Sequence, residues 1–137
     1  MKHRLLPKLD LTAHKGQNGK VGVMGGSKEY TGAPYYAAVS ALRSGADLSH
    51  VFCPDKDATM AIKTYSPEII VHPLESPDDL FKWLHAINSL VIGPGLGRAP
   101  EVCQATTAFL AGMVSKKSEF SKTPNLVCDA DCLWMIS

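Results

Sequence analysis

The stretch HKGQNGKVGVMGGSKEYTGAPYYAAVSALRSGA, residues 14–46, predicts a strand, a glycine turn and a helix in succession. Its residues 20–24 are short and mostly apolar, which is typical of a buried strand. Gly25 and Gly26 follow, and glycine permits the tight backbone turn expected where a strand ends. Pro34 suits the first turn of a helix, whose apolar positions then recur at helical spacing.

A glycine turn that leads into a helix leaves free backbone N–H groups, and these favour a phosphate or another anion. However, the spacing of Gly22, Gly25 and Gly26 does not match the dinucleotide-binding pattern, and residues 14–21 do not match a P-loop. Spacing alone therefore favours an ordinary turn that binds no ligand. Both interpretations stay open at this point.

The rest of the chain alternates predicted strands and helices. Strands are predicted at residues 47–53, 68–72, 90–92 and 126–128, and helices at 55–64, 76–87 and 99–114. This alternation predicts an α/β fold with three αβα layers and a mainly parallel sheet. Ligands of such sheets bind beyond the carboxyl ends of the strands, so residues 25–33, 93–97 and 129–131 should converge there.

Length and composition narrow the class of protein. The 137 residues suit one domain, and the 45% apolar content supplies a core. A net charge of +1 favours neither nucleic acid nor an anionic membrane surface, and no apolar run approaches the ~20 residues that span a bilayer. We therefore expect neither a nucleic-acid partner nor a membrane.

The first residues and the cysteines bear on the compartment. Residues 1–13 are expected to form a surface lead-in without a secretory signal, and residues 115–123 a polar connection. The four cysteines contain no C-x-x-C pair, which indicates reduced thiols and a cytoplasmic location. Cys53 and Cys128 lie in apolar strands and are expected to be small core residues.

Asp129 and Asp131 stand two apart at a predicted strand end, so in an extended segment their side chains would point the same way. Such a pair suits Mg²⁺ binding or acid–base chemistry, and equally a capping and turn role. His50 and His72 each stand alone and are expected to be satisfied core or surface residues. No residue is assigned as a metal ligand or as catalytic.

Four blocks resemble the ATP-dependent NAD(P)H-hydrate dehydratases, members of the ribokinase-like superfamily. They are HKGQNGKVGVMGGSKEYTGAPYYAAVSALRSGADLSHVF at residues 14–52, YSPEIIVHPL at 65–74, VIGPGLGR at 91–98 and DADCLW at 129–134. The blocks occur in the order found in that family. The resemblance implies a ribokinase-like fold and the dehydration of (S)-NADHX and (S)-NADPHX back to NADH and NADPH, with ATP and Mg²⁺ as cofactors.

The resemblance also implies site residues. By their match to the family's motifs, Gly97, Gly95 and Ala33 are expected to bind the nucleotide substrate. The residues expected to line the site are Gly26, Gly32, Asp129 and Asp131. One departure concerns Cys132, where the family has glycine, and it puts the turn geometry after Asp131 in doubt.

Two motifs of the related enzymes, Asn-His-x-Glu-Phe and Gly-Gly-x-Gly-Asp, do not occur here. The resemblance thus implies that residues 1–137 are the N-terminal half of one ribokinase-like domain, truncated before the C-terminal half. We expect this fragment to be inactive and poorly stable, because its last strand would have an unpaired edge. The full-length form is expected to be a homo-oligomer, and an alternative start with a transit peptide would give a mitochondrial form.

Two alternatives accompany this prediction. A ribokinase-like small-molecule kinase would share the fold and the phosphoryl step but would keep a phosphorylated product. A non-catalytic fragment would bind nucleotide weakly or pair with full-length subunits.

Overall fold

The computed structural model describes residue 12, residues 14–115 and residues 123–137. The predicted lead-in, apart from residue 12, and most of the predicted connection at 115–123 lie outside these ranges. Within them the strands are β1 (Lys20–Met24), β2 (Leu48–Cys53), β3 (Ile70–Pro73), β4 (Ser89–Ile92) and β5 (Asn125–Cys128). The helices are α1 (Gly32–Arg43), α2 (Lys56–Lys63), α3 (Pro77–Phe81), α4 (Pro100–Ser115) and α5 (Asp131–Ile136).

All five strands pair in parallel, in the order β3-β2-β1-β4-β5. The central strand β1 pairs with β2 on one side and β4 on the other, so that Met24 stands opposite both Phe52 and Ile92. The strand order reverses between β1 and β4. In open parallel sheets this reversal is the point where loops diverge and leave a crevice for a ligand.

Two apolar clusters cover the two faces of the sheet, because successive strand residues point to opposite faces. The cluster with α1 and α2 contains Val23, Ala38, Val39, Val51, Cys53, Ala58, Ile62, Ile69 and Val71. The cluster with α3, α4 and α5 contains Met24, Phe52, Leu74, Leu80, Leu84, Ile87, Leu90, Ile92, Leu96, Phe109, Met113 and Cys132. The prediction of three αβα layers around a parallel sheet is confirmed.

The helix predicted at residues 76–87 is wrong in its length. Only α3 is helical, and it begins with the predicted capping box, in which the Asp79 carboxylate accepts the N–H of Ser76 at 3.1 Å. Beyond it the Trp83 N–H donates to the carbonyl of Leu80 at 2.9 Å, a three-residue turn rather than a helical bond. These tighter turns bring the Trp83 ring to 4.4 Å from that of His72, so tertiary packing overrides the helical pattern.

The carboxyl-terminal part of the chain differs from the prediction in one element. α5 was not predicted, although its sequence DCLWMI follows directly on the predicted fifth strand. Before it, β5 lies at an edge of the described sheet, with Leu126 41% and Val127 49% exposed. The expected unpaired edge is therefore present in the described residues. No described helix combines the length and the apolar character needed to cross a membrane.

His50 and His72 are satisfied residues, as predicted, but each is the partner of the other and neither stands alone. His50 Nδ1 lies 3.0 Å from His72 Nε2, across the β2–β3 pair, and the two rings stack with their centroids 5.3 Å apart. Burial and the neighbouring His50 and Lys63 lower the pKa of His72 to about 4. Burial and Lys20 lower the pKa of His50.

This histidine pair should make stability depend on pH. The unfolded histidine takes up a proton near pH 6.5, whereas folded His72 does so near pH 4. Because the unfolded state binds more protons between these values, we expect the free energy of unfolding to be highest above pH 6.5 and to fall as the pH drops towards 4. Urea unfolding at several pH values measures this.

The variant His72→Phe should flatten the pH dependence of the unfolding midpoint in this window, because it removes the titrating group and keeps a planar ring. His85→Phe is the matched control, since His85 is exposed. An equal pH dependence in wild type and His72→Phe would contradict the assignment.

Candidate functional site

Two glycine-containing loops meet at the carboxyl ends of β1 and β4. We call residues 25–31 the first loop and residues 93–99 the second loop. The Gly26 N–H donates to the carbonyl of Pro94 at 3.1 Å, which joins the loops directly. The predicted convergence of residues 25–33 and 93–97 at one end of the sheet is confirmed.

A third segment, the β5–α5 turn, packs on the second loop because Gly93 has no side chain. Gly93 has a φ of +123°, and a Cβ there would overlap the carbonyl oxygen of Asp129 and lie 2.9 Å from the Cβ of Cys132. The Asp129 N–H in turn donates to the carbonyl of Ile92 at 2.9 Å. Glycine at this position is therefore required by the tertiary packing, whatever ligand binds nearby.

Four of the seven predicted site residues line one open cleft of about 610 Å³, which we call the main cleft. They are Ala33, Gly95, Gly97 and Asp131, and the other lining residues are Glu29, Tyr30, Arg98 and Ala130. A Cβ at Gly95 would lie 2.8 Å from the carbonyl oxygen of Tyr30 and 3.2 Å from the Cβ of Ala33. The site therefore has no room for a larger side chain at Gly95.

The other three predicted residues lie elsewhere. Gly26 lines a second cleft of about 460 Å³, which also contains the cations Lys28 and Arg98 and shares Gly97 with the main cleft. Gly32 lines a separate hollow of about 410 Å³ together with Thr31 and three tyrosines, Tyr35, Tyr36 and Tyr65. Asp129 is exposed, and its described hydrogen bonds involve only its backbone.

The expected parallel orientation of Asp129 and Asp131 rested on an extended backbone, and that premise is wrong. Ala130 between them has φ 44° and ψ −115°, and α5 begins immediately after it. The Asp131 carboxylate turns to the second loop, where Oδ2 accepts the Gly97 N–H at 3.0 Å and Oδ1 accepts Arg98 Nε–H at 2.9 Å. Asp131 thus stabilises the loop structure, in line with the capping and turn role that the sequence analysis gave as one interpretation.

Cys132 is accommodated without the glycine of the related family. The positive φ in this turn falls at Ala130, not at Cys132, which lies in α5 with its side chain fully buried. Burial and the neighbouring Cys128 raise the pKa of the Cys132 thiol to about 12. The thiol therefore stays protonated and acts as a small core group, as does buried Cys53.

Three backbone N–H groups of the two loops are already occupied by hydrogen bonds within the protein. Gly25 N–H donates to the carbonyl of Phe52 at 3.0 Å, Gly26 N–H to that of Pro94, and Gly97 N–H to Asp131. The described residues also contain no group of three or more histidine, cysteine or acidic side chains that could hold a metal ion. The amides of Gly25, Gly26 and Gly97 therefore serve to pack the loops against their neighbours.

The sequence analysis did not select two charged residues of the main cleft, Glu29 and Arg98. Both lie inside the blocks that carry the family resemblance, and Arg98 directly follows the last glycine of VIGPGLGR. That adjacency was the available signal for Arg98. Nothing in the local pattern indicated that its partner would be Asp131, 33 residues further along.

The structure is thus that of an α/β protein with an open cleft at the switch point of a parallel sheet, where ligands of such folds bind. A family model described as NAD(P)H-hydrate dehydratase matches residues 21–137. The ATP-dependent (S)-NAD(P)H-hydrate dehydratase of Homo sapiens is 50% identical over 137 residues, covering 97% of this chain and 38% of the human protein. The chain belongs to the NAD(P)H-hydrate dehydratase family.

Further relatives agree. The enzyme of the same name from Entamoeba histolytica is 47% identical over 137 residues, covering 97% of this chain and 43% of that protein. A ribokinase-like superfamily protein from Enterococcus faecalis has a TM-score of 0.77 at 24% identity, over 94% of this chain and 43% of that one. An ADP/ATP-dependent NAD(P)H-hydrate dehydratase from Bacillus subtilis, co-crystallised with ATP and Mg²⁺, has a TM-score of 0.63 at 24% identity, over 93% and 43%.

These comparisons agree on two points. The ribokinase-like fold is shared with solved structures. The chain spans about two fifths of the length of the curated relatives it matches.

The packing role of Gly93 can be tested against a glycine of similar backbone conformation. Gly45 has a φ of +108°, close to that of Gly93, but a Cβ there would meet nothing within 4 Å. We expect Gly45→Ala to lower the free energy of unfolding by about 1–2 kcal/mol through backbone strain alone. Gly93→Ala should lower the free energy of unfolding by a further ~1–3 kcal/mol, because the added methyl group overlaps the β5–α5 turn. Equal losses in urea unfolding would show that packing at Gly93 is unimportant.

Proposed function

We propose that the protein represented by this chain carries out the ATP-dependent dehydration of (S)-NADHX and (S)-NADPHX to NADH and NADPH. Family membership and the name shared by the curated relatives support this proposal. The observation that carries it is the main cleft, where Ala33, Gly95 and Gly97 lie side by side beyond the carboxyl ends of β1 and β4.

The small residues of the main cleft have a binding role in this proposal. Gly95, Gly97 and Ala33 contact the hydrated nicotinamide nucleotide, since only short side chains let its ring approach the backbone. Gly26 and Gly32 border the site from the neighbouring hollows. Asp131 is assigned a structural role here, because each of its carboxylate oxygens accepts a hydrogen bond from the second loop.

ATP and Mg²⁺ enter the proposal through the relatives, which are named ATP-dependent. Magnesium ions in such sites are held by one or two carboxylates together with the phosphates. The described residues contain no group of three or more histidine, cysteine or acidic side chains, and the three loop amides named above are already bonded. We therefore assign no step at ATP or Mg²⁺ to the described residues.

The 137-residue chain is expected to bind substrate without turning it over. In the main cleft the described carboxylates are Glu29 and Asp131, and Asp131 is engaged by Gly97 and Arg98. The free state of all four cysteines supports a reducing compartment such as the cytoplasm. Self-association into a homo-oligomer belongs to the full-length form in this proposal.

Turnover can be measured by incubating the purified chain with (S)-NADHX, ATP and Mg²⁺ and following NADH absorbance and phosphate release together. We expect neither signal from this chain. In a form that also contains the Gly-Gly-x-Gly-Asp motif we expect both, with one phosphate per NADH. ADP and a phosphorylated product without phosphate release would instead identify a small-molecule kinase.

Binding to the main cleft can be tested with Ala33→Leu, which adds bulk where the cleft is narrow. We expect the Kd for (S)-NADHX to rise by about tenfold or more, as a misfit of ~1–3 kcal/mol would cause. Isothermal titration calorimetry measures this. Ser40→Leu is the matched control, because Ser40 is exposed on the same helix and lines none of the three hollows described above. Equal affinities of the two variants for (S)-NADHX would exclude the main cleft as the substrate-binding site.

A further inference from the structure

Asp131 is the carboxylate that connects α5 to the second loop. Its side chain is only 17% exposed, and its two oxygens accept hydrogen bonds from consecutive residues, from the Gly97 amide at 3.0 Å and from Arg98 Nε at 2.9 Å. Hydrogen bonds to an ionised acceptor are about twice as strong as neutral ones. The carboxylate thus holds both the backbone and the side chain at the end of the loop.

Arg98 is held from a second side by the same helix. The centre of its guanidinium group lies 4.7 Å from the ring centroid of Trp134, which is within the range of a cation–π contact. Asp131 and Trp134 lie one helical turn apart on α5, so the helix offers both partners on one face. Arg98 therefore contacts both the Asp131 carboxylate and the Trp134 ring of α5.

The second loop needs an external restraint of this kind. Gly95 and Gly97 lie on either side of Leu96, and glycine loses more conformational freedom on ordering than any other residue. Leu96 holds the middle of the loop through its buried side chain and through its N–H, which donates to the carbonyl of Gly93 at 3.1 Å. Further along the loop, the Gly97 N–H donates to the Asp131 carboxylate.

We propose that Asp131 is a positioning residue for the substrate: through Gly97 and Arg98 it holds the second loop in the shape that forms the wall of the main cleft. This inference rests on the proposed function for the identity of the substrate. The contacts that carry it belong to the chain itself, and they can be measured without any ligand.

Asp131→Asn is the variant that tests the proposal. The amide keeps the size of the side chain but loses the charge, and its NH₂ group cannot accept from Arg98. We expect hydrogen exchange at the Gly97 amide to become about tenfold faster, and the Kd for (S)-NADHX to rise by about tenfold. The indole N–H resonance of Trp134 should also move, because Arg98 is released from its partner.

Asp129→Asn is the matched control, since it removes the same charge two residues away from a side chain without a described hydrogen bond. In this variant the exchange rate of the Gly97 amide should stay within about twofold of the wild-type rate. The indole N–H resonance of Trp134 should keep its wild-type position. If Asp131→Asn and Asp129→Asn behave alike at Gly97, the positioning role is excluded.

Arg98→Gln is a second variant that tests the same contact, should Asp131→Asn not fold. This variant should move the Trp134 resonance and speed exchange at Gly97, because Asp131 loses one of its two anchors. If hydrogen exchange at the Gly97 amide is as slow in Arg98→Gln as in wild type, the proposal is overturned. A different result separates the two proposals: wild type fails to bind (S)-NADHX, but Asp131→Asn still speeds hydrogen exchange at the Gly97 amide. In that case the proposed function is wrong, while the role of Asp131 in holding the second loop stands.

Discussion

The close approach of two glycine-containing loops at the carboxyl ends of β1 and β4 is the contact on which the rest of the site depends. The Gly26 amide donates to the Pro94 carbonyl, and a side chain at Gly25 would overlap that same carbonyl oxygen. Backbone can lie directly on backbone only where side chains are absent. This constraint brings Ala33 beside Gly95 and leaves the main cleft open above them.

The same contact explains why glycine turns of this kind need not bind phosphate through their amides. In this chain the N–H groups of Gly25, Gly26 and Gly97 are engaged by other parts of the protein. Their hydrogen bonds hold the shape of the cleft wall. Arg98 and Glu29 supply the charges there, with Arg98 held by Asp131.

Much of the fold was predictable because the strands are short apolar runs separated by clear breakers. The alternation of β and α elements predicts parallel pairing, and the two clusters on the sheet faces follow from the alternation of side chains along each strand. Residues 82–86 were not predictable from their pattern. Leu80, Leu84 and Ile87 are buried as a helical stripe would have them, yet three-residue turns form there because Trp83 packs against His72.

The family resemblance singled out Ala33, Gly95 and Gly97, and the geometry shows them together in one cleft. It also selected Asp131, but the backbone at Ala130 decides where that carboxylate points. A positive φ at an alanine is not readable from local pattern, because it results from packing the β5–α5 turn onto Gly93. The pairing of His50 with His72 is likewise a product of strand register, since 22 residues separate them in the chain.

The sequence by itself determined the class of fold, the family and the end of the sheet where the glycine-containing loops converge, because these depend on periodicity, on glycine positions and on motifs that are local. Tertiary structure alone decided which loop amides are bonded within the protein, which carboxylate holds the second loop, and which histidines hydrogen-bond to each other. Those outcomes depend on distances between residues far apart in the chain, and such distances are set only when the strands pair and the helices pack.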